Sequence, residues 1–382
     1  MTENAVLLIA RPQLMIERVG GLTVIERQLI TASRAGIKRV WIGASRPDER
    51  TLSGMRLPEG LEINWSQREA AGECPTPYLL ISGDHFIRTE TLRYIVEAPY
   101  GSHVILEDAA GTAVVQVVPF RTEKIPPQVR QPIPLGGSVF LDTPVGRGPE
   151  LSWLLACGTK SQDGFMARNF DRYISLSVSR LLLNTGVTPN MMTVASSLLG
   201  LVGAAFFLLP NYTSRLTGAI LIWLHSVLDG CDGELARLRM QESALGAALD
   251  FWGDNLVHLA LFGCMAWGFA VADRSLLPVI LGVASAVGTL GSAVLVYRER
   301  EERKASGAQS AALEEGIQST LSKIENILAA RDFIYLLLVL AYISRLYEFL
   351  WATAVGSLLF FGMMLYLRGA KNEQASQPHP AS

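Results

Sequence analysis

Four aspartates in an apolar setting constrain this chain more than anything else in it. Between Asp229 and Asp254 it reads DGCDGELARLRMQESALGAALDFWGD, with two acidic pairs in segments otherwise apolar enough to cross a membrane. A mid-bilayer Asp opposes insertion by roughly 2.5–3.5 kcal/mol, so four of them cost on the order of 10 kcal/mol unless something compensates. Residues three or four apart share a helix face, so Asp229 converges with Asp232 and Asp250 with Asp254. Left alone, clustered carboxylates hold one another partly protonated; Mg²⁺ or Mn²⁺ would keep all four ionised. Two ions could fit, as in sites that clamp a phosphate during in-line displacement. Gly233 and Gly246 allow a ligand or a second backbone to come close, and Arg237 offers a planar donor to phosphate oxygens.

The segment fits D-x2-D-G-x2-A-R-x8-G-x3-D-x3-D, filled by Asp229, Asp232, Gly233, Ala236, Arg237, Gly246, Asp250 and Asp254. It resembles the signature of the CDP-alcohol phosphotransferases, membrane enzymes that move a phospho-alcohol from CDP to a second alcohol and release CMP. The resemblance implies metal binding by Asp229, Asp232, Asp250 and Asp254. It implies CDP binding by Asp229, Asp232, Gly233, Ala236, Arg237 and Gly246, and Asp254 as the general base on the acceptor hydroxyl.

At 382 residues, 49% hydrophobic and 18% charged, the chain is too apolar for an ordinary soluble protein and too polar to lie wholly in a membrane. A formal charge of −2 argues against a general nucleic-acid partner. Cys74, Cys157, Cys231 and Cys264 are scattered, suggesting neither zinc nor a disulfide framework. The opening MTENAVLLIARPQ has no basic leader and a short apolar run, so no signal peptide is expected.

Residues 1–158 carry a βαβ rhythm: strands over Ala5 to Ala10, Arg39 to Gly43 and Tyr78 to Ser82, helices over Thr23 to Ala35 and Thr89 to Glu97. Strand-like runs follow at Val104 to Leu106, Ala113 to Val118 and Ser138 to Leu141, while 119–158 reads as closing strands and loops. LLIA, VGGLTVIERQLITASRAGIKRVWI and LLISGDH resemble nucleotidyltransferases that activate sugar or polyol phosphates, with Asp84 at the family's metal-binding position. No glycine precedes Gly20, so the triphosphate cradle is missing and a degenerate, Rossmann-like binding or docking domain is expected.

Residues 159–187 read as linker plus an amphipathic helix lying along the membrane surface, with Phe170, Ile174, Val178 and Leu181 at helical spacing. Its K-x2-D-G, R-x2-S and T-P-N pieces resemble the phosphotransferase branch fused to a cytidylyltransferase, which includes enzymes joining CDP-inositol to inositol phosphate. Residues 188–370 are expected to form an all-α domain of six spans, near 191–209, 216–240, 245–271, 276–296, 333–344 with flanking residues, and 349–367. Most arginines and lysines fall on one side of these spans, which places both termini in the cytoplasm of a multi-pass cell (inner) membrane protein. Lys160, Arg168, Arg172 and Arg331 fall on that side and are candidates for gripping an acceptor phosphate. Arg331-Asp332 reads equally well as a plain helix start. Ile317, Leu321, Ile324 and Leu328 suggest an amphipathic helix in the insert after the fourth span, and 371–382 a disordered tail. His225, Asn255 and His258 lie one turn from the motif, where packing roles are commoner than catalysis. The expected partners are a CDP-alcohol donor, an alcohol acceptor, the bilayer and a second copy of the chain. A non-catalytic membrane scaffold and a metal-ion transporter are the alternatives.

Overall fold

A computed structural model describes residues 2–66, 70–120, 129–134, 136–142, 148–157, 170–183, 185–306 and 332–375. It divides into two compact units, one of residues 1–159 with Arg237–Met240 and one of residues 160–236 with 241–382.

The first unit is α/β. Its elements are β1 (Asn4–Leu8), a 3-10 turn (Pro12–Ile16), β2 (Arg18–Val19), β3 (Leu22–Thr23), α1 (Val24–Arg34), β4 (Arg39–Ile42), α2 (Glu49–Ser53), β5 (Glu62–Trp65), α3 (Ala70–Glu73), β6 (Tyr78–Ser82), β7 (His85–Ile87), α4 (Thr89–Glu97), β8 (Val104–Glu107), β9 (Ala113–Val118), β10 (Val129–Pro132), β11 (Ser138–Phe140) and α5 (Pro149–Cys157). Among the described residues, seven strands form one sheet in the order β10-β8-β9-β6-β1-β4-β5, parallel except for β9. Hydrophobic runs such as Ala5-Val6-Leu7 are buried because both faces of such a sheet are covered. Ile25, Leu29, Leu92 and Ile95, from α1 and α4, complete that core.

Two features of this unit depart from the linear reading. Pro149–Cys157, within the stretch expected to be closing strands and loops, is helical, with Leu151 and Leu154 buried. The β5 strand carries little signal of its own, because Glu62-Ile63-Asn64-Trp65 has only two apolar residues, and it forms by parallel pairing with β4 at the sheet edge. Helix α1 opens with a reciprocal capping box: Thr23 Oγ1 accepts from the Glu26 N–H while Glu26 Oε2 accepts from the Thr23 N–H at 2.7 Å. Arg27, one residue on, is buried and donates to the carbonyls of Val19 and Leu238, and its burial pushes the guanidinium down to about 10.

The second unit is helical: α6 (Arg172–Leu182), α7 (Pro189–Ala205), α8 (Tyr212–Leu238), α9 (Ala244–Asp273), α10 (Leu277–Ser306), α11 (Asp332–Tyr342) and α12 (Leu346–Ala375). Among the described residues, four helices are long and apolar enough to cross a membrane: 189–208, 244–273, 277–302 and 346–369. Helix α8 has the length to cross, at 27 residues, but concentrates Asp229, Asp232, Glu234 and Arg237 in its last three turns. Helix α11 has 11 residues. Thr188 caps α7 by accepting from the Met191 N–H at 3.2 Å, with Pro189 in the first turn, and Ser243 caps α9 by accepting from the Gly246 N–H at 3.0 Å.

Close helix approach in this unit depends on missing side chains. A Cβ on Gly268 of α9 would lie 2.1 Å from the Phe207 carbonyl oxygen, a backbone atom that cannot turn aside. Gly268→Ala should therefore cost about 1–3 kcal/mol by overpacking. The check is the thermal midpoint of the detergent-solubilised protein, which should fall; an unchanged midpoint would contradict this packing.

Candidate active site

Helix α8 delivers Asp229 and α9 delivers Asp250 and Asp254, one α-helical turn apart. One carboxylate oxygen from each of these three lies within 4.8 Å of the others, with Asp229 buried and the two α9 residues partly buried. Hard oxygen donors gathered from two helices at this separation suit Mg²⁺ or Mn²⁺ in both charge and ligand type.

Asp232 has a different environment. Its Oδ2 accepts a hydrogen bond from the Thr193 hydroxyl of α7, and both side chains are buried. The three-carboxylate group therefore comprises Asp229, Asp250 and Asp254, while Asp232 is oriented from a neighbouring helix. Thr193 escaped the reading of the chain, since a threonine in an apolar helix looks like ordinary packing.

Gly246 lies in the first turn of α9, where a Cβ would meet Asn190 Oδ1 at 2.9 Å and Ser243 Oγ at 3.0 Å. Its place in the motif thus has a local steric reason, the approach of α7. Gly233 follows Asp232 directly, Ala236 comes one turn later, and Arg237 lies in the final turn of α8.

The neighbouring histidines separate. His225 is buried, with Nδ1 2.9 Å from the Ser196 carbonyl and Nε2 3.6 Å from Asp254 Oδ1, so it adjoins the carboxylate group. His258 packs instead among rings, with centroids 5.3 Å from Phe333 and 6.5 Å from Phe262. Asn255 donates to the Phe251 carbonyl of its own helix at 2.8 Å.

Of the basic candidates for an acceptor phosphate, Arg172 ion-pairs through Nη1 with Glu234 at 2.7 Å. Lys160, Arg168 and Arg331 lie outside the described residues, as does the amphipathic segment around Ile317 to Leu328. A cation the sequence reading passed over is Arg300 on α10. Its guanidinium lies 5.1 Å over the ring of Phe251, the residue after Asp250, and that ring also packs on Trp252 and Tyr297. In the sequence Arg300 is hidden within the charged run YREREERK.

In the α/β unit, Asp84 does stand just past the carboxyl end of β6, but its Oδ2 is 3.2 Å from Arg11 Nε. Arg11 also donates to the Leu141 carbonyl at 2.7 Å and lies 5.1 Å over Phe140. Beside it, His85 is buried between Ser82 and Asp108. Burial of Asp108 raises its pKa, yet hydrogen bonds from Thr112, His85 and Ala110 outweigh this and hold the carboxyl below its usual range.

Comparison with known proteins addresses the helical unit. Residues 186–366 match the family model described as CDP-alcohol phosphatidyltransferase. A "bifunctional IPC transferase and DIPP synthase" of Aquifex aeolicus is 37% identical over 127 residues, 33% of this chain and 28% of that protein. A phosphatidylinositol phosphate synthase of Mycobacterium marinum is 28% identical over 211 residues, 54% of this chain and 84% of that protein. A crystal structure of the Mycobacterium tuberculosis phosphatidylinositol phosphate synthase with CDP-DAG bound aligns with 51% of this chain and 93% of its own at 23% identity and a TM-score of 0.40. The chain spans under a third of the length of the bifunctional relatives it matches, 28% in the Aquifex protein.

The geometry makes a direct prediction about metal. Asp250→Asn should abolish Mn²⁺ binding by the purified protein, followed by the loss of free-ion electron paramagnetic resonance signal, whereas Asp84→Asn should leave it unchanged. Equal binding by wild type and Asp250→Asn would remove the carboxylate group as a metal site.

Proposed function

From the match of residues 186–366 to the CDP-alcohol phosphatidyltransferase family model, we propose that this membrane protein transfers a phospho-alcohol from a CDP-alcohol to an acceptor alcohol and releases CMP. The observation that carries the reading is the meeting of Asp229, Asp250 and Asp254 within 4.8 Å across two helices.

Asp229, Asp250 and Asp254 would hold the divalent metal, with Asp232 oriented beside them by Thr193. The bound cation would supply charge neutralisation on the diphosphate. Gly233 and Ala236 leave room for the nucleotide, and Arg237 donates to its phosphate oxygens. A carboxylate oxygen of Asp254 takes the proton from the acceptor hydroxyl as that oxygen bonds to the β-phosphorus. The bond from the β-phosphorus to the bridging oxygen breaks, and its electron pair leaves with CMP. Most of the catalysis then comes from positioning and electrostatics.

Polar head groups are the favoured acceptors, phosphorylated polyols among them. Arg300, held over Phe251 beside Asp250, is a candidate to receive such a phosphate, with Lys160, Arg168 and Arg331 as further candidates. Arg172 is engaged by Glu234 and serves less well. The α/β unit is read as a binding or docking domain that does not turn over nucleotide. Its first strand is followed by Arg11 and a 3-10 turn rather than a glycine-rich loop, and Arg11 already pairs with Asp84.

Six spans, with α8 and a lengthened α11 added to the four long apolar helices, would put both termini in the cytoplasm. Helix α6 would lie at the interface, its exposed Tyr173, Ile174 and Leu181 toward lipid. The domain boundaries at 158, 187 and 370, and a homodimer, belong to the same proposal.

CMP release by the purified protein in lipid, with Mg²⁺ or Mn²⁺ and CDP-diacylglycerol or CDP-inositol offered with a panel of alcohols, tests the reading. Release should require metal and acceptor, and Asp254→Ala should lower it by about 10²-fold or more, the lower end for a lost general base. Metal binding without CMP from any pair would favour the scaffold or transporter instead. With a phosphorylated acceptor, Arg300→Ala should raise the acceptor KM about tenfold, as for one charge-assisted hydrogen bond; an unchanged KM would remove Arg300 from the site.

A further inference from the structure

Glu234 lies inside the aspartate motif but on another side of its helix. It comes two residues after Asp232, about 200° of rotation along α8, and its side chain is 0% exposed. Oε1 accepts from Arg172 Nη1 at 2.7 Å and from the Ser175 hydroxyl at 2.7 Å, and Oε2 accepts from the Ser179 hydroxyl at 2.7 Å. All three donors belong to α6. One turn earlier on α8, Cys231 Sγ lies 3.4 Å from the Ser175 carbonyl.

Helix α6 carries its polar side inward. Arg172, Ser175 and Ser179 form a stripe against α8, while Tyr173 and Leu181 are 74% and 77% exposed. The buried residues within α6 are Ser175 and Ser179, so the hydrogen-bonded carboxylate joins α8 to the polar side of α6. Ahead of α6, the buried carboxylate of Asp171 accepts from the Tyr335 hydroxyl of α11. Removing one partner of a buried ion pair leaves the other desolvated and uncompensated, so the Glu234 attachment is sensitive to single substitutions.

We propose that Glu234 is a positioning residue of the transferase site. It fixes α6 against the helix that carries Asp229 and Asp232, and so governs how well the CDP-alcohol is seated without touching the metal or the reacting atoms. The inference rests on the transferase reading for its kinetic consequence and on the hydrogen-bond set alone for the anchoring.

The experiment uses the full chain in lipid vesicles and compares Glu234→Gln, Arg172→Gln and the double variant. A spin label at Ser177→Cys, on the exposed side of α6, reports helix mobility independently of activity. An amide at 234 keeps the shape but can no longer accept from all three donors. Glu234→Gln should raise label mobility and raise the KM for the CDP-alcohol about tenfold, within the range of couplings between contacting groups. Its kcat and Mn²⁺ affinity should stay near wild type, and the double variant should recover much of the loss because no buried charge is left unpaired. Unchanged mobility and KM would overturn the proposal, and so would a fall in Mn²⁺ affinity matching the loss of activity, which would make Glu234 part of the metal site. If the wild type released no CMP, the transferase reading would fail while the spin label still decided the anchoring.

Discussion

The repulsion among three carboxylates is the interaction on which the rest of the helical unit depends. At separations within 4.8 Å, two ionised carboxylates would repel by on the order of 3 kcal/mol at an effective dielectric of ~20. Helices α8 and α9 nevertheless converge there, each far more apolar than its acidic cluster. Convergence of that kind is stable when a divalent cation makes the closest approach of the acids the lowest in energy. The surrounding packing serves the same end. Gly246 lets α7 meet the start of α9, and Thr193 reaches from α7 to turn Asp232.

A second constraint follows from placing polar groups on both sides of one helix. Over its last three turns α8 turns Asp229 toward Asp250 and Asp254, Asp232 toward Thr193 and Glu234 toward α6. None of these acids can be left bare in an apolar setting, and each meets a different solution: convergence with Asp250 and Asp254, a hydroxyl from α7, or an arginine with two serines. The three acids thus face different neighbouring elements, and together those contacts set the rotation of the helix. A site that works by positioning needs that property more than it needs reactive side chains.

The α/β unit follows a different logic. Its mostly parallel sheet and covering helices form a conventional core, and Asp84 stands just past the end of β6, where ligands of such sheets bind. There Arg11 closes on Asp84 while Phe140 lies beneath the guanidinium. An arginine built into the chain satisfies the acid at that position, which agrees with the lack of glycine after β1.

Much of this architecture was legible in the chain. Tyr78–Ser82 and Thr89–Glu97 are where an apolar run and helical periodicity put them, Thr188 and Pro189 start α7 as capping chemistry dictates, and four of the six expected spans are helices long and apolar enough to cross a membrane. The acidic motif pointed to a candidate metal site, because intramembrane carboxylates at helical spacing have few other uses, and three of its four aspartates do converge. Local rules suffice for these features, since each depends on neighbours within a few residues. Folding decided what depends on distant partners. Edge pairing made a strand of Glu62–Trp65, and approach across helices set Asp232 apart from its three companions. Glu234 paired with Arg172, a candidate for the acceptor phosphate, and Arg300 came over Phe251 from the charged run YREREERK. Spacing along a helix tells which residues share a face; only the packed neighbours tell what that face meets.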